Sequence, residues 1–278
     1  MASASAEEAA RTVEGIVNYL GEMTVRPRFH ANDHSRDNLI LEPHSIRVID
    51  ARTVLDPPTL DREGFMLVRH KSEVRDFRDR DEVDCIHRDE IAKLVKEVTG
   101  ADDVVVTAPG VLRFSERSPD SGKLDNSYPA RFIHIDVSDP TGRSMAEQAA
   151  PNGLANVQRY ANYNVWRVFS PPPQDAPLAV CDARTLAPED LVPADAVFDR
   201  EGQPDWSFEA LLVRYNPAHQ WWYWSNMDRD DALIFKTKDS DPDRAHHVPH
   251  SAFDDPGCPP DAAPRASIEM RAIAYWYD

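Results

Sequence analysis

From Arg131 to the C-terminus the chain alternates short apolar, β-branched or aromatic runs with turn-forming residues, and this rhythm constrains the fold more than any other feature. The runs are Arg131–Val137, Tyr163–Phe169, Leu178–Cys181, Phe208–Tyr215, Trp221–Ser225, Ala232–Lys236, His246–Ser251 and Ser267–Tyr277. Each has the length and residue types of a strand, and several of the gaps between them carry Gly, Pro, Asn and Asp. Short strands in such succession predict a mainly β fold, a jelly roll or barrel with added helices. Asn216-Pro217-Ala218-His219 reads as a hairpin connection, and Asp139-Pro140-Thr141-Gly142 as the end of the first strand. A helix is expected between Glu147 and Tyr160, interrupted near its start by Pro151 and Gly153.

The N-terminal third reads as mixed α+β. Met1 to Ala10 is a tail, Thr12–Leu20 fits either a helix or a strand, and Thr24–His34 is polar and irregular. Ile46–Ala51 and Phe65–Arg69 are short strands around the Asp56-Pro57-Pro58 turn, Asp84–Thr99 is an amphipathic helix closed by Gly100, and Val104–Val106 is a strand. Ser115–Ala130 is a loop. No boundary divides the chain, so residues 1–278 are expected to form one domain, with the α+β part of residues 1–110 packed on a core of residues 131–278.

Composition narrows the function. Apolar residues make up 41% of the 278, enough for a sizeable core, and the formal net charge is −17. That charge argues against nucleic acid or an anionic membrane surface as partner. A small anionic substrate is compatible with it, because that needs only a local arginine. Cys85, Cys181 and Cys258 are widely spaced and form neither a zinc pattern nor a disulfide framework. Met1 to Glu14 lacks the basic and apolar regions of a signal peptide, and no run is long enough to span a bilayer. The expectation is a cytoplasmic protein acting on a small molecule. Nothing in the pattern sets an oligomeric state.

The candidate chemistry lies in the first of the C-terminal strands. Strand side chains alternate faces, so His134 and Asp136 point the same way. An imidazole and a carboxylate so placed can supply two ligands of a 2-His-1-carboxylate triad, which holds iron(II) on one face; the reading set against it is a satisfied core histidine beside a strand-edge charge. In a double-stranded β-helix the third ligand comes from late in the barrel, which narrows the ten histidines to His246, His247 and His250. His250, read as the C-terminal end of its strand, is the choice, with His246 on the same face as runner-up. Arg265 and Ser267 then share a face on the last strand. A guanidinium fork with a hydroxyl beside it suits the distal carboxylate of 2-oxoglutarate. Arg271, deeper on that face, is read either as a rival anchor or as the partner of Glu269. Of Asn164 and Arg167, a regular strand lets only one reach the interior. The Trp221–Trp224 cluster reads mainly as core, with a pocket wall as the alternative.

Several stretches carry a family resemblance: Phe132-Ile133-His134-Ile135-Asp136, Asn164-Val165-Trp166-Arg167, Pro177 to Arg184, Tyr215 to Tyr223, Phe235-Lys236, Pro249 to Pro256 and Pro264 to Arg271. In this order they resemble the iron(II)/2-oxoglutarate oxygenase-like family of secondary metabolism, which includes a cephem 7α-methoxylase component, gibberellin desaturase-like proteins and an endoperoxide-forming oxygenase. The family has a proline after Asn-x-Trp-Arg, where this chain has Val168. The resemblance implies a double-stranded β-helix with added helices, iron(II) on His134, Asp136 and His250, and 2-oxoglutarate and dioxygen as co-substrates. Arg265 and Ser267, with Asn164 and Arg167, are the implied cofactor-binding residues. The implied reaction oxidises 2-oxoglutarate to succinate and carbon dioxide and removes hydrogen from a small substrate, with hydroxylation, desaturation or ring closure to follow. The readings set against it are a jelly-roll binding module without catalysis and a cupin-type metal enzyme that does not use 2-oxoglutarate.

Overall fold

His134 sits inside a nine-stranded sheet, and everything around it is arranged by that sheet and a second one facing it. The computed structural model describes residues 10–277. Its strands are β1 (Thr12–Leu20), β2 (Arg28–His30), β3 (Leu41–Asp50), β4 (Phe65–Arg69), β5 (Asp103–Val106), β6 (Val111–Phe114), β7 (His134–Ile135) and β8 (Val157–Val168). They continue as β9 (Leu178–Cys181), β10 (Leu191–Phe198), β11 (Trp206–Val213), β12 (Trp221–Tyr223), β13 (Asp231–Asp239), β14 (His250–Ala252) and β15 (Ala266–Tyr277). The first sheet runs β1-β3-β12-β9-β14-β7-β11-β10-β2. The second runs β4-β13-β8-β15-β5, with β6 also paired to β15.

Alternation divides the residues between the faces. Ile133 and Ile135 join Val48, Leu211, Trp221 and Phe253 in one core. That core lies inside the curl of the first sheet, where Asn18 of β1 bridges to Phe132. The opposite face looks toward the second sheet, where Val180, Val248, Phe235, Leu233 and Trp166 pack together. His134, Asp136 and His250 are on this inner side, and Phe235 touches the His250 ring at 4.7 Å between centroids. On the far side of the second sheet a helix, α1 (Arg88–Thr99), buries Ile91, Leu94 and Val95 against β8 and β15. Gly100 closes it in the left-handed conformation at φ 67°.

Several expectations meet corrections. Thr12–Leu20 takes the strand of its two readings, because its alternating residues cover the curled core. The helix expected over Glu147–Tyr160 is displaced: α2 spans Asp139–Ala149, and Val157–Val168 is strand β8. Asp139-Pro140-Thr141-Gly142 is thus a helix start, not a strand end. Ser138 caps it by accepting from the Thr141 amide, and Pro140 occupies a first-turn position that needs no N–H donor. Asn216–His219 is no hairpin, because β11 pairs with β7 and β10 whereas β12 pairs with β3 and β9. The Arg131–Val137 strand is regular only at His134–Ile135. The His246–Ser251 strand begins at His250, which is therefore its first residue and not its end. Residues 1–110 also do more than pack on a core: β1, β2 and β3 belong to the first sheet, and β4 and β5 to the second.

One glycine ties this framework to the inner face. Gly64 has φ +97°, and a Cβ there would collide with Val248 Cγ2. Its carbonyl accepts from the Lys236 amide, and the Lys236 carbonyl accepts from Val248. Gly64→Ala must adopt a strained backbone and displace Val248. We expect it to cost at least about 2 kcal/mol in urea unfolding. A variant as stable as the parent would show that this crossing tolerates a side chain.

Candidate active site

The two central histidines are cross-strand partners. His250 on β14 stands directly opposite His134 on β7, and their rings lie 4.2 Å apart between centroids. Asp136, two residues past His134, turns its carboxylate to both: Oδ1 is 3.5 Å from His134 Nε2 and 3.8 Å from His250 Nε2. The three ligand atoms lie within 4.8 Å of one another, and all three residues are buried. Each imidazole is oriented in the same way. His134 Nδ1 donates to the Phe132 carbonyl at 3.0 Å, and His250 Nδ1 to the Val248 carbonyl at 3.2 Å. A carbonyl only accepts, so the proton is on Nδ1 and the Nε2 lone pair faces Asp136. Of the three late histidines, His250 alone joins this cluster. His246 and His247 lie outside β14 and gather at Asp139.

The carboxylate is held from behind. Asp136 Oδ2 accepts from Asn164 Nδ2 at 2.7 Å and pairs with Arg271 Nη2 at 3.1 Å. Burial opposes ionisation of Asp136, yet Arg271, with His134 and His250, keeps its carboxyl well below the usual range. Arg271 also pairs with Glu269 at 3.2 Å, which bears out the partner reading. Burial, and then the Asp136 charge, push the Glu269 carboxyl up. Burial beside His134 pulls His250 down to about 3.

Further along β15, alternation puts Ser267 on the face of Glu269 and Arg271, and Arg265 just precedes the strand. Arg265 is 3% exposed, and its Nη1 donates to Ser267 Oγ. Ser267 Oγ in turn donates to the Arg113 carbonyl at 3.2 Å. Arg265 makes no ion pair among the described residues, and its Nε has no partner. Burial, then the nearby Arg113 and Arg131 charges, lower it to about 10. A buried guanidinium without a carboxylate is costly unless an anion joins it.

Arg167 is not at the cluster. It lies on the opposite face of β8 from Asn164, where it donates to the His70 and Arg229 carbonyls at 3.2 and 3.4 Å and to His70 Nδ1 at 2.8 Å. Its expected place among cofactor-binding residues is therefore corrected: two of its guanidinium nitrogens join β8 to two loops on the face away from the cluster. Asn164 reaches the interior and orients Asp136. The Trp221–Trp224 residues are core, divided by alternation between the curled core and the space between sheets.

His134, Asp136 and Arg271 line the floor of a cleft whose walls include Phe29, Arg113, Tyr128, Phe132, Phe198 and Phe208. Sequence reading missed most of this wall. Phe198 ends β10, whose Pro193 disguises a strand. Arg113 lies in the four-residue β6 and Phe29 in the three-residue β2, both too short for periodicity to register.

Comparison with known proteins gives this site its class. A family model described as an oxidoreductase/YMDC permease-like domain matches residues 17–275. An Fe(II)/2-oxoglutarate-dependent dioxygenase of Aspergillus novofumigatus is 30% identical over 240 residues, 84% of each chain. The chain belongs to the Fe(II)/2-oxoglutarate-dependent oxygenases, and its cofactor and co-substrates are iron(II), 2-oxoglutarate and dioxygen. Within that family it is similar to a hydroxylase/desaturase of Hormonema carpetanum, at 32% identity over 242 residues and 79% of each chain. Among solved structures it superimposes on the iron and alpha-ketoglutarate-dependent endoperoxidase NvfI with a TM-score of 0.83 and 26% identity, over 97% of this chain and 100% of that one. Two imidazoles with Nε2 lone pairs, one ionised carboxylate and an unpaired buried guanidinium are a donor set that fits iron(II) and a dicarboxylate.

The site also sets an acid limit. An unfolded histidine titrates near its usual 6.5, whereas His250 in the metal-free fold stays neutral to about 3. Between those values the unfolded chain binds more protons, so this contribution to stability falls as pH falls. The depressed Asp136 acts in the same direction at the acid end. In metal-free protein, nitrogen-detected NMR of His250 should show a neutral, Nδ1-protonated ring at pH 5, and the thermal midpoint should fall as pH is lowered from about 6.5. A cationic His250 ring at pH 5 would contradict this environment.

Proposed function

We propose that His134, Asp136 and His250 hold iron(II), that Arg265 and Ser267 receive the distal carboxylate of 2-oxoglutarate, and that the aromatic cleft binds a small secondary-metabolite substrate. The observation that carries this is the cross-strand pair of histidines, with both Nε2 atoms turned to one buried carboxylate. The relatives named as hydroxylase/desaturases and as an endoperoxidase support C–H oxidation of a natural product. Bound iron(II), with 2-oxoglutarate and dioxygen, supplies the oxidant that removes hydrogen from a substrate carbon. The chain's own residues do the rest. Phe132 and Val248 carbonyls fix the two imidazoles, and Asn164 and Arg271 fix the carboxylate. Phe29, Phe132, Phe198 and Phe208 exclude water and hold an apolar skeleton over the floor of the cleft. Arg265 and Ser267 orient the co-substrate. The 278 residues act as one oxygenase domain. Its cysteines are unpaired, as suits the reducing cytoplasm in which iron stays ferrous.

Two variants test the assignment. His134→Ala should lose most bound iron(II) while keeping the parent's circular dichroism; unchanged iron content would remove His134 from the ligand set. For Arg265, truncating one partner of a buried charge pair costs roughly 2–5 kcal/mol. Each ~1.4 kcal/mol is tenfold in affinity, so Arg265→Ala should weaken 2-oxoglutarate about thirtyfold or more. Anaerobic titration followed by the charge-transfer absorbance of the iron(II) protein measures this. If Arg265→Ala binds 2-oxoglutarate like the parent and Arg271→Ala does not, the anchor is Arg271.

A further inference from the structure

The two segments that carry the candidate iron ligands also build a second cluster. Asp139, at the start of α2, lies three residues beyond Asp136, and His246 and His247 lie just before His250. Their ligand atoms lie within 4.8 Å of one another. His247 is 8% exposed, and its Nε2 has no hydrogen-bond partner although it stands 3.1 Å from Asp139 Oδ1. Two atoms bound to one ion at about 2.0–2.2 Å lie roughly 3–3.5 Å apart. The 3.1 Å between His247 Nε2 and Asp139 Oδ1 falls in that range. The His246 ring lies tilted against His247 at 4.4 Å between centroids, and its Nδ1 donates to the Arg244 carbonyl at 3.4 Å, which leaves Nε2 for a metal.

We propose that Asp139, His246 and His247 form a second divalent-metal site, of zinc type, that clamps the start of α2 to the segment leading into His250. The ligand chemistry selects the ion. Lys238 holds Asp139 Oδ1 at 2.7 Å, so the carboxylate is already partly neutralised. Calcium and magnesium depend on several oxygen donors, whereas two imidazoles suit zinc. The site is distinct from the first, because no residue belongs to both.

Equilibrium dialysis of the metal-free protein against zinc, with elemental analysis, tests this directly. The parent should bind two equivalents. His246→Ala and Asp139→Asn should each bind one tightly. Loss of an outer-shell partner alone costs about 10- to 100-fold in metal affinity, and loss of a ligand should cost at least as much. In the His134→Ala background zinc should still raise the thermal midpoint, and adding Asp139→Asn should abolish that rise. A parent that binds a single equivalent, or a second equivalent that survives in both His246→Ala and Asp139→Asn, overturns the proposal. Two equivalents in His134→Ala, with one lost on Asp139→Asn, would support this site and count against the iron assignment alone.

Discussion

The antiparallel rung between His134 and His250 is the constraint on which the rest of the molecule depends. Two residues far apart in sequence must meet at one register position, since a slip by one residue would turn either imidazole to the wrong face. The strands that meet there are only two and three residues long. Their own ladder is too short to hold that register. It is held instead by longer neighbours: β11 and β9 flank the pair in the same sheet, and Phe235, Val248 and Trp166 fill the space toward the second sheet.

Charge on the inner face is arranged along β15. Ser267, Glu269 and Arg271 follow at every second position on one side of a strand whose other side, with Ile268, Met270 and Ala272, belongs to the core under α1. Burying so many polar groups is affordable only where each has a partner or awaits one. Arg271 has two carboxylates, and Arg265 has none. That inequality separates the guanidinium that supports a ligand residue from the one suited to bind an incoming anion.

How much of this can be read in the sequence follows from the same physics. His134, Asp136 and His250 were legible because strand alternation and the order of the motifs act over short, regular stretches. The pairing of Arg265 with Ser267 was legible for the same reason. The strand β8 was visible only in its second half, because Gln158, Arg159 and Asn162 break the apolar rhythm of its first half. The start of α2 was hidden because Asp-Pro-Thr-Gly satisfies a turn as well as a capped first turn, and only the Ser138 cap decides. Arg167 could not be placed by composition. Its partners are the carbonyls of His70 and Arg229 and the ring of His70, far away in sequence, and backbone acceptors leave no mark on a sequence.

The cleft walls and the His134–Asp136–His250 floor are built from different parts of the chain. Phe29, Tyr128, Phe198 and Phe208 come from β2, β10, β11 and the 115–130 loop. The floor comes from β7, β14, β8 and β15. Phe132 belongs to both, since its ring lines the wall and its carbonyl steers His134. Evolution, or a mutagenesis library, can therefore remodel the wall and explore new skeletons while the oxidising machinery is inherited intact, provided the backbone at position 132 stays in place.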